Sequence, residues 1–187
     1  TQQLALATYK SKYPNEISAL TEALCVIKEL KPEKTLDFET IGITGAIYKR
    51  LYMKTRKTEF LELAIENYSR GYAINSNHYN GENYANCLIL KDTCSELSEE
   101  EQVYIKYTCK KIYNDIKNLI LQNDEITYWM KATLATCYFF LGEDDLFRKY
   151  RNEFYNELES EWQKETFDSN IKMLEEFLNK SGVEYDT

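Results

Sequence analysis

Two neighbouring stretches decide the fold: IGITGAIYKRLY (Ile41–Tyr52) and LELAIENYSRGYAINSNHYNGENYANCLIL (Leu61–Leu90). In the first, Ile41, Thr44, Gly45, Tyr48, Leu51 and Tyr52 recur at three- and four-residue steps, the spacing of one helix face. In the second, Leu61, Ala64, Ile65, Tyr68, Gly71 and Tyr72 repeat that spacing. Gly42 and Gly45 would each cost a helix up to about 1 kcal/mol against Ala. Two such costs within a turn predict a close approach between helices, not a break.

Working outward, Ile17, Leu20, Leu24, Ile27 and Leu30 mark a helix over 16–30, opened by Asn15 and stopped by Pro32. Further helices are predicted over 38–55, 58–74, 81–91, 99–121, 125–141, 144–157 and 164–180, about eight in all. Ser98 with Glu101 fits a reciprocal capping box. Gly182 is the expected terminator and residues 183–187 the frayed tail. No strand segment emerges, so the chain reads as all-α, a single domain over 1–187. Antiparallel helix pairs make the array, with an irregular single-core bundle as the other arrangement.

Composition narrows the function classes. The 187 residues include only 6 glycines and 2 prolines, which sets aside collagen-like and low-complexity chains. Net charge is -8, unfavourable to general binding of nucleic-acid backbones. The longest apolar stretch, near Leu134–Leu141, is far too short to span a bilayer. Five cysteines without a CxxC pair read as buried small hydrophobes in a reducing compartment, so the cytoplasm is the expected setting. The one histidine, His78, sits in a predicted polar loop and lacks the partners that metal or nucleophilic chemistry needs. No catalytic, cofactor or metal residue set is expected.

The order aromatic or apolar, small, Tyr, then Ala-x3-aromatic, recurs along the chain. Ile41-x2-Thr44-Gly45-x2-Tyr48 is followed by Ala64-x3-Tyr68-x2-Gly71, and Leu134-Ala135-x2-Tyr138-x3-Gly142 repeats the first half. This resembles tetratricopeptide repeats, helix pairs with a period of about 34 residues. The same stretch, with Lys49, Arg50 and the Tyr79-Asn80-Gly81 run followed by Asn83 and Ala85, resembles the TRAFs-binding, tetratricopeptide-like regulatory region of MAP kinase kinase kinases and its bacterial relatives. The resemblance implies a right-handed helical array that binds proteins and does no chemistry, excised from or part of a larger protein. Gly45, Tyr48, Ala64, Tyr68, Gly71, Gly81, Ala135, Tyr138 and Gly142 are its expected structural positions.

The most pointed local signal is Tyr48–Lys57, where Lys49, Arg50, Lys54, Arg56 and Lys57 occur without an acidic residue. Helix-end charge explains part of this. The candidate partner-binding group is Lys49, Arg50, Tyr52 and Lys54 on one helix, with Tyr79, Asn80 and Asn83 flanking a predicted turn. Its expected partner is a protein or acidic peptide segment, with an attached effector domain as a further possibility and no membrane. Two other readings stay open: a sensor of a small anionic ligand or modified peptide, and an enzyme using Asp, Glu and Tyr side chains.

Overall fold

Side-chain caps fix where the helices begin. In the computed structural model, which describes residues 1–180, the helices are α1 (Gln2–Ser11), α2 (Glu16–Lys28), α3 (Phe38–Thr55), α4 (Thr58–Ile74), α5 (His78–Cys94), α6 (Glu99–Leu121), α7 (Tyr128–Leu141), α8 (Asp144–Asn156) and α9 (Glu161–Lys180). Asn15 Oδ1 accepts from the Ser18 amide at 2.9 Å, and the Asp37 carboxylate accepts from the amides of Glu39 and Thr40. Ser98 and Glu101 form the expected box: the Glu101 amide donates to Ser98 Oγ and the Ser98 amide to Glu101 Oε2. Gly142 closes α7 in the left-handed conformation, φ 76°, where glycine has no Cβ penalty. The expected terminator Gly182 and tail 183–187 lie outside the described residues.

The chain is all-helical, with no strand among the described residues. The structure adds one helix and moves several ends: α5 spans 78–94 where 81–91 was expected, α7 starts at 128 and not 125, α9 starts at 161 and not 164, and α2 and α8 end two and one residues earlier. An additional first helix, α1, buries only Ala5 and Tyr9, a two-residue stripe too short to stand out as periodicity. The fifth helix starts at His78, not at 81, because Asn77 Oδ1 accepts from the Asn80 amide at 2.9 Å. Tyr79, Asn80 and Gly81 therefore lie in the first helical turn and do not form a loop.

The backbone divides into two compact units, one ending at Cys87 and the other beginning at Leu88. In the first, α1 packs on α2, α2 on α3, and α3 most extensively on α4. Its core joins Ala5, Tyr9, Leu20, Ala23, Ile27, Ile47 and Leu51. Tyr48 stacks on Phe60 at 6.2 Å beside it. Ala64 and Tyr68 are buried on α4, and a Cβ on Gly45 would stand 3.1 Å from the Tyr68 ring. The close approach is thus a glycine of α3 against a side chain of α4.

In the second unit α7 pairs with α8 and also meets α6 and α9. Leu134, Ala135, Tyr138, Tyr150, Phe154 and Phe167 form its core, with Tyr138 stacked on Tyr150 at 5.4 Å. At its edge Asp168 accepts from Tyr155 and, at 2.6 Å, from Lys164 Nζ. Partial burial works to raise the Asp168 pKa, but these hydrogen bonds and the Lys164 and Arg151 charges outweigh it and hold the carboxyl below its ordinary value. A carboxyl depressed in the folded state contributes stability above its unfolded pKa of about 3.9, lost as pH falls through the folded value. Lowering the pH from about 5 to about 3 should therefore reduce the urea midpoint less in Asp168→Asn than in the parent chain. Equal shifts would show that the Asp168 contacts do not matter to acid stability.

Candidate functional site

The basic run divides once the chain is folded. Lys49 Nζ donates to Asn83 Oδ1 at 3.1 Å, joining α3 to α5, and Asn83 Nδ2 donates to the Tyr79 carbonyl at 3.0 Å. The Arg50 guanidinium lies 4.7 Å over the Tyr9 ring of α1 and donates to the Ala46 carbonyl at 3.2 Å. Such stacking holds the cation in place while its edge stays available for hydrogen bonds. Lys49, Arg50, Tyr79 and Asn83 thus come together on one face, with Tyr9 as an additional member. The sequence reading omitted Tyr9 because its helix had not been recognised.

The other three candidates do not join them. Lys54 Nζ pairs with Glu16 Oε2 on α2 at 2.7 Å. Tyr52 is an interior residue, 2% exposed, with the Arg56 guanidinium 5.8 Å from its ring centre. Asn80 is 1% exposed, a correction of its expected place on an exposed turn. Its Nδ2 donates to the Phe38 carbonyl at 3.3 Å, and Oδ1, which has no hydrogen-bond partner, lies against Gly42. A Cβ on Gly42 would stand 2.7 Å from Asn80 Oδ1, and one on Gly71 would stand 2.8 Å from Nδ2. Asn80 is therefore a wedge between α3 and α4, admitted by two glycines.

The phenols give the face its electrostatic character. Tyr79 is 47% exposed, yet its hydroxyl end is enclosed and hydrogen-bonded to that of Tyr68. Burial raises the pKa of both phenols, against the opposing effect of the Arg50 charge, so both remain neutral hydroxyls around neutral pH. Cys87 behind them is wholly buried, its thiol pushed up to about 11 by burial despite the Lys49 charge. It is a packing residue and not a thiolate nucleophile.

Beside this group lies a cleft of about 430 Å³, lined among others by Gln2, Leu6, Phe38, Ile43, His78 and Tyr79. His78 is partly buried and its pKa is lowered by that burial, so it presents a neutral imidazole to the cleft at pH 7. Tyr79 borders both the cleft and the cationic group, making one surface from α1, α3 and α5. Among the described residues no group of three or more His, Cys, Asp or Glu side chains is placed to hold a metal ion. Nor is any described helix long and apolar enough to cross a membrane.

Helix pairs of this order, with small residues at the crossings and alternate helices supplying one face, are what a tetratricopeptide array requires. Residues 1–88 match the family TPR-S, Tetratricopeptide Repeats-Sensor. The match covers 88 of 187 residues and ends within one residue of the first unit's boundary. The first unit is tetratricopeptide-like, and the TPR-S likeness supports an interaction or sensor module. No curated protein and no solved structure matches the chain.

Proposed function

We propose that the first unit is a non-catalytic recognition module that holds an acidic segment of a partner protein. The observation that carries this reading is the convergence of Lys49, Arg50 and Asn83 beside Tyr9 and Tyr79. Two cations on adjacent positions attract a carboxylate pair, and amide and aromatic neighbours fix its orientation. In this reading, occupancy recruits or controls an effector attached to the chain or associated with it. The Tyr79-Asn80-Gly81 run supports kinship with the TRAFs-binding regulatory region of MAP kinase kinase kinases. Five cysteines, none of them in a disulfide, suit a cytoplasmic setting.

Calorimetric titration with a panel of Asp- and Glu-rich peptides tests the site. Lys49→Glu with Arg50→Glu should leave the helical circular-dichroism signal intact and weaken binding at least tenfold, about 1.4 kcal/mol. It should also flatten the salt dependence. Lys54 is left unchanged because its pairing with Glu16 joins α3 to α2. Undiminished affinity with an unchanged salt slope would place the site elsewhere. A second reading, favoured by the adjoining cleft and the sensor description of TPR-S, is a small anionic ligand or a modified peptide. Inorganic phosphate and a phosphopeptide in the same titration separate the two.

A further inference from the structure

The second unit carries an aromatic pair that its core leaves partly uncovered. Trp129 and Trp162 are the second residues of α7 and α9, and their rings lie 6.0 Å apart at 39°. Trp129 is backed by Tyr128 at 5.1 Å and by the wholly buried Phe154 at 5.8 Å, so the pair rests on a rigid core. Even so, Trp129 is 37% exposed and Trp162, the outer ring, 57%. Large apolar rings standing together in water mark interaction surfaces far more often than isolated exposed side chains do.

The charge around the pair selects the occupant. From Leu88 onward the sequence holds 12 basic and 21 acidic residues, whereas residues 1–87 hold 11 and 10. The chain's negative charge therefore belongs to its second part. Glu159, Glu161 and Glu165, all exposed, surround Trp162 in sequence, and exposed Asp124 and Glu125 precede α7. The lysines nearest the two tryptophans in sequence are already engaged: Lys131 with Glu153 and Glu157, Lys164 with Asp168. An indole face attracts a cation through its quadrupole, and exposed carboxylates within three positions of Trp162 add to that attraction. The same carboxylates repel nucleic acid and anionic lipid.

We propose that the Trp129–Trp162 face docks a basic segment of a partner protein, with an Arg or Lys side chain against Trp162 and aliphatic neighbours against the rest of the pair. This inference concerns the second unit and is independent of the acidic-segment site on the first.

The chain contains only two tryptophans, Trp129 and Trp162, so its indole emission reports this face alone. The full chain is titrated with the capped peptide Leu-Arg-Arg-Leu-Arg-Arg-Leu and, as control, with Glu in place of Arg. The Arg peptide should change the emission saturably and the Glu peptide should not. Trp162→Ala should weaken the Arg peptide at least tenfold by calorimetry. Glu159→Gln with Glu161→Gln and Glu165→Gln should weaken it and flatten the salt slope. Several results would overturn the proposal: no response to the Arg peptide up to about 1 mM, an equal response to both peptides, or affinity indifferent to Trp162→Ala. Sedimentation showing self-association that Trp162→Ala abolishes would overturn it too, giving the face to a second copy of the chain.

Discussion

Replacing Phe154 with alanine is expected to cost the second unit about 3–5 kcal/mol, the range for deleting a fully buried aromatic ring. Phe154 is wholly buried and touches four rings: Tyr128 at 6.3 Å, Trp129 at 5.8 Å, Tyr155 at 6.0 Å and Phe167 at 5.3 Å. These rings come from α7, α8 and α9, so the cavity would open where three helices meet and could not be closed by one side chain turning. Urea unfolding followed by tryptophan emission reads the loss directly, since both indoles belong to this unit. A loss below about 1.5 kcal/mol would mean that the neighbours collapse into the space, and that Phe154 does not organise the core.

Gly71→Ala is expected to destabilise the first unit by about 1–3 kcal/mol, the usual cost of overpacking. On an open helix face the same change would be stabilising, by up to about 1 kcal/mol. The difference is Asn80. The added Cβ would lie 2.8 Å from its Nδ2 and 2.9 Å from its Cγ, while Gly42 blocks the opposite side. Asn80→Ala removes the obstruction along with the hydrogen bond to the Phe38 carbonyl. In that background Gly71→Ala should become neutral or favourable, a coupling that a double-mutant cycle in urea measures. Strict additivity would show that Asn80 does not wedge the two helices apart.

Much of the scaffold was legible because long helices carry their period and caps openly. The Ser98–Glu101 box reappears as read, and so does most of each stripe: Ile41, Thr44, Gly45, Leu51 and Tyr52 on α3 and Leu61, Ala64, Tyr68 and Gly71 on α4 are buried, whereas Tyr48, Ile65 and Tyr72 are only half-buried. The start of α5 carried a signal too, since Asn77 is a favoured capping residue, but the Asn-Gly dipeptide suggested a turn more strongly. Asn80 shows where composition misleads: an asparagine beside glycine looks exposed, yet here two glycines on other helices make room to bury it. That arrangement depends on residues 9 and 38 positions away and has no local signature.

The candidate face was legible in part for the same reason. Lys49 and Arg50 were visible as adjacent cations, but partners at long range decide which basic residues share a surface. Glu16 engages Lys54, Tyr9 lies under Arg50, and Asn83 receives Lys49. The tryptophan pair was beyond a one-dimensional reading, because its members stand 33 positions apart on separate helices.

Helix α5 begins in the first unit and ends in the second, so where the TPR-S likeness stops is a poor place to cut the chain. A fragment ending at residue 87 would lose the last seven residues of a 17-residue helix. It would leave the carbonyls of the preceding turn without their amides, in the helix that presents Tyr79 and Asn83. An expressible fragment should instead stop in the link at residues 95–98, between α5 and α6. Where the TPR-S likeness ends and where the chain can be trimmed are here separated by two turns of one helix.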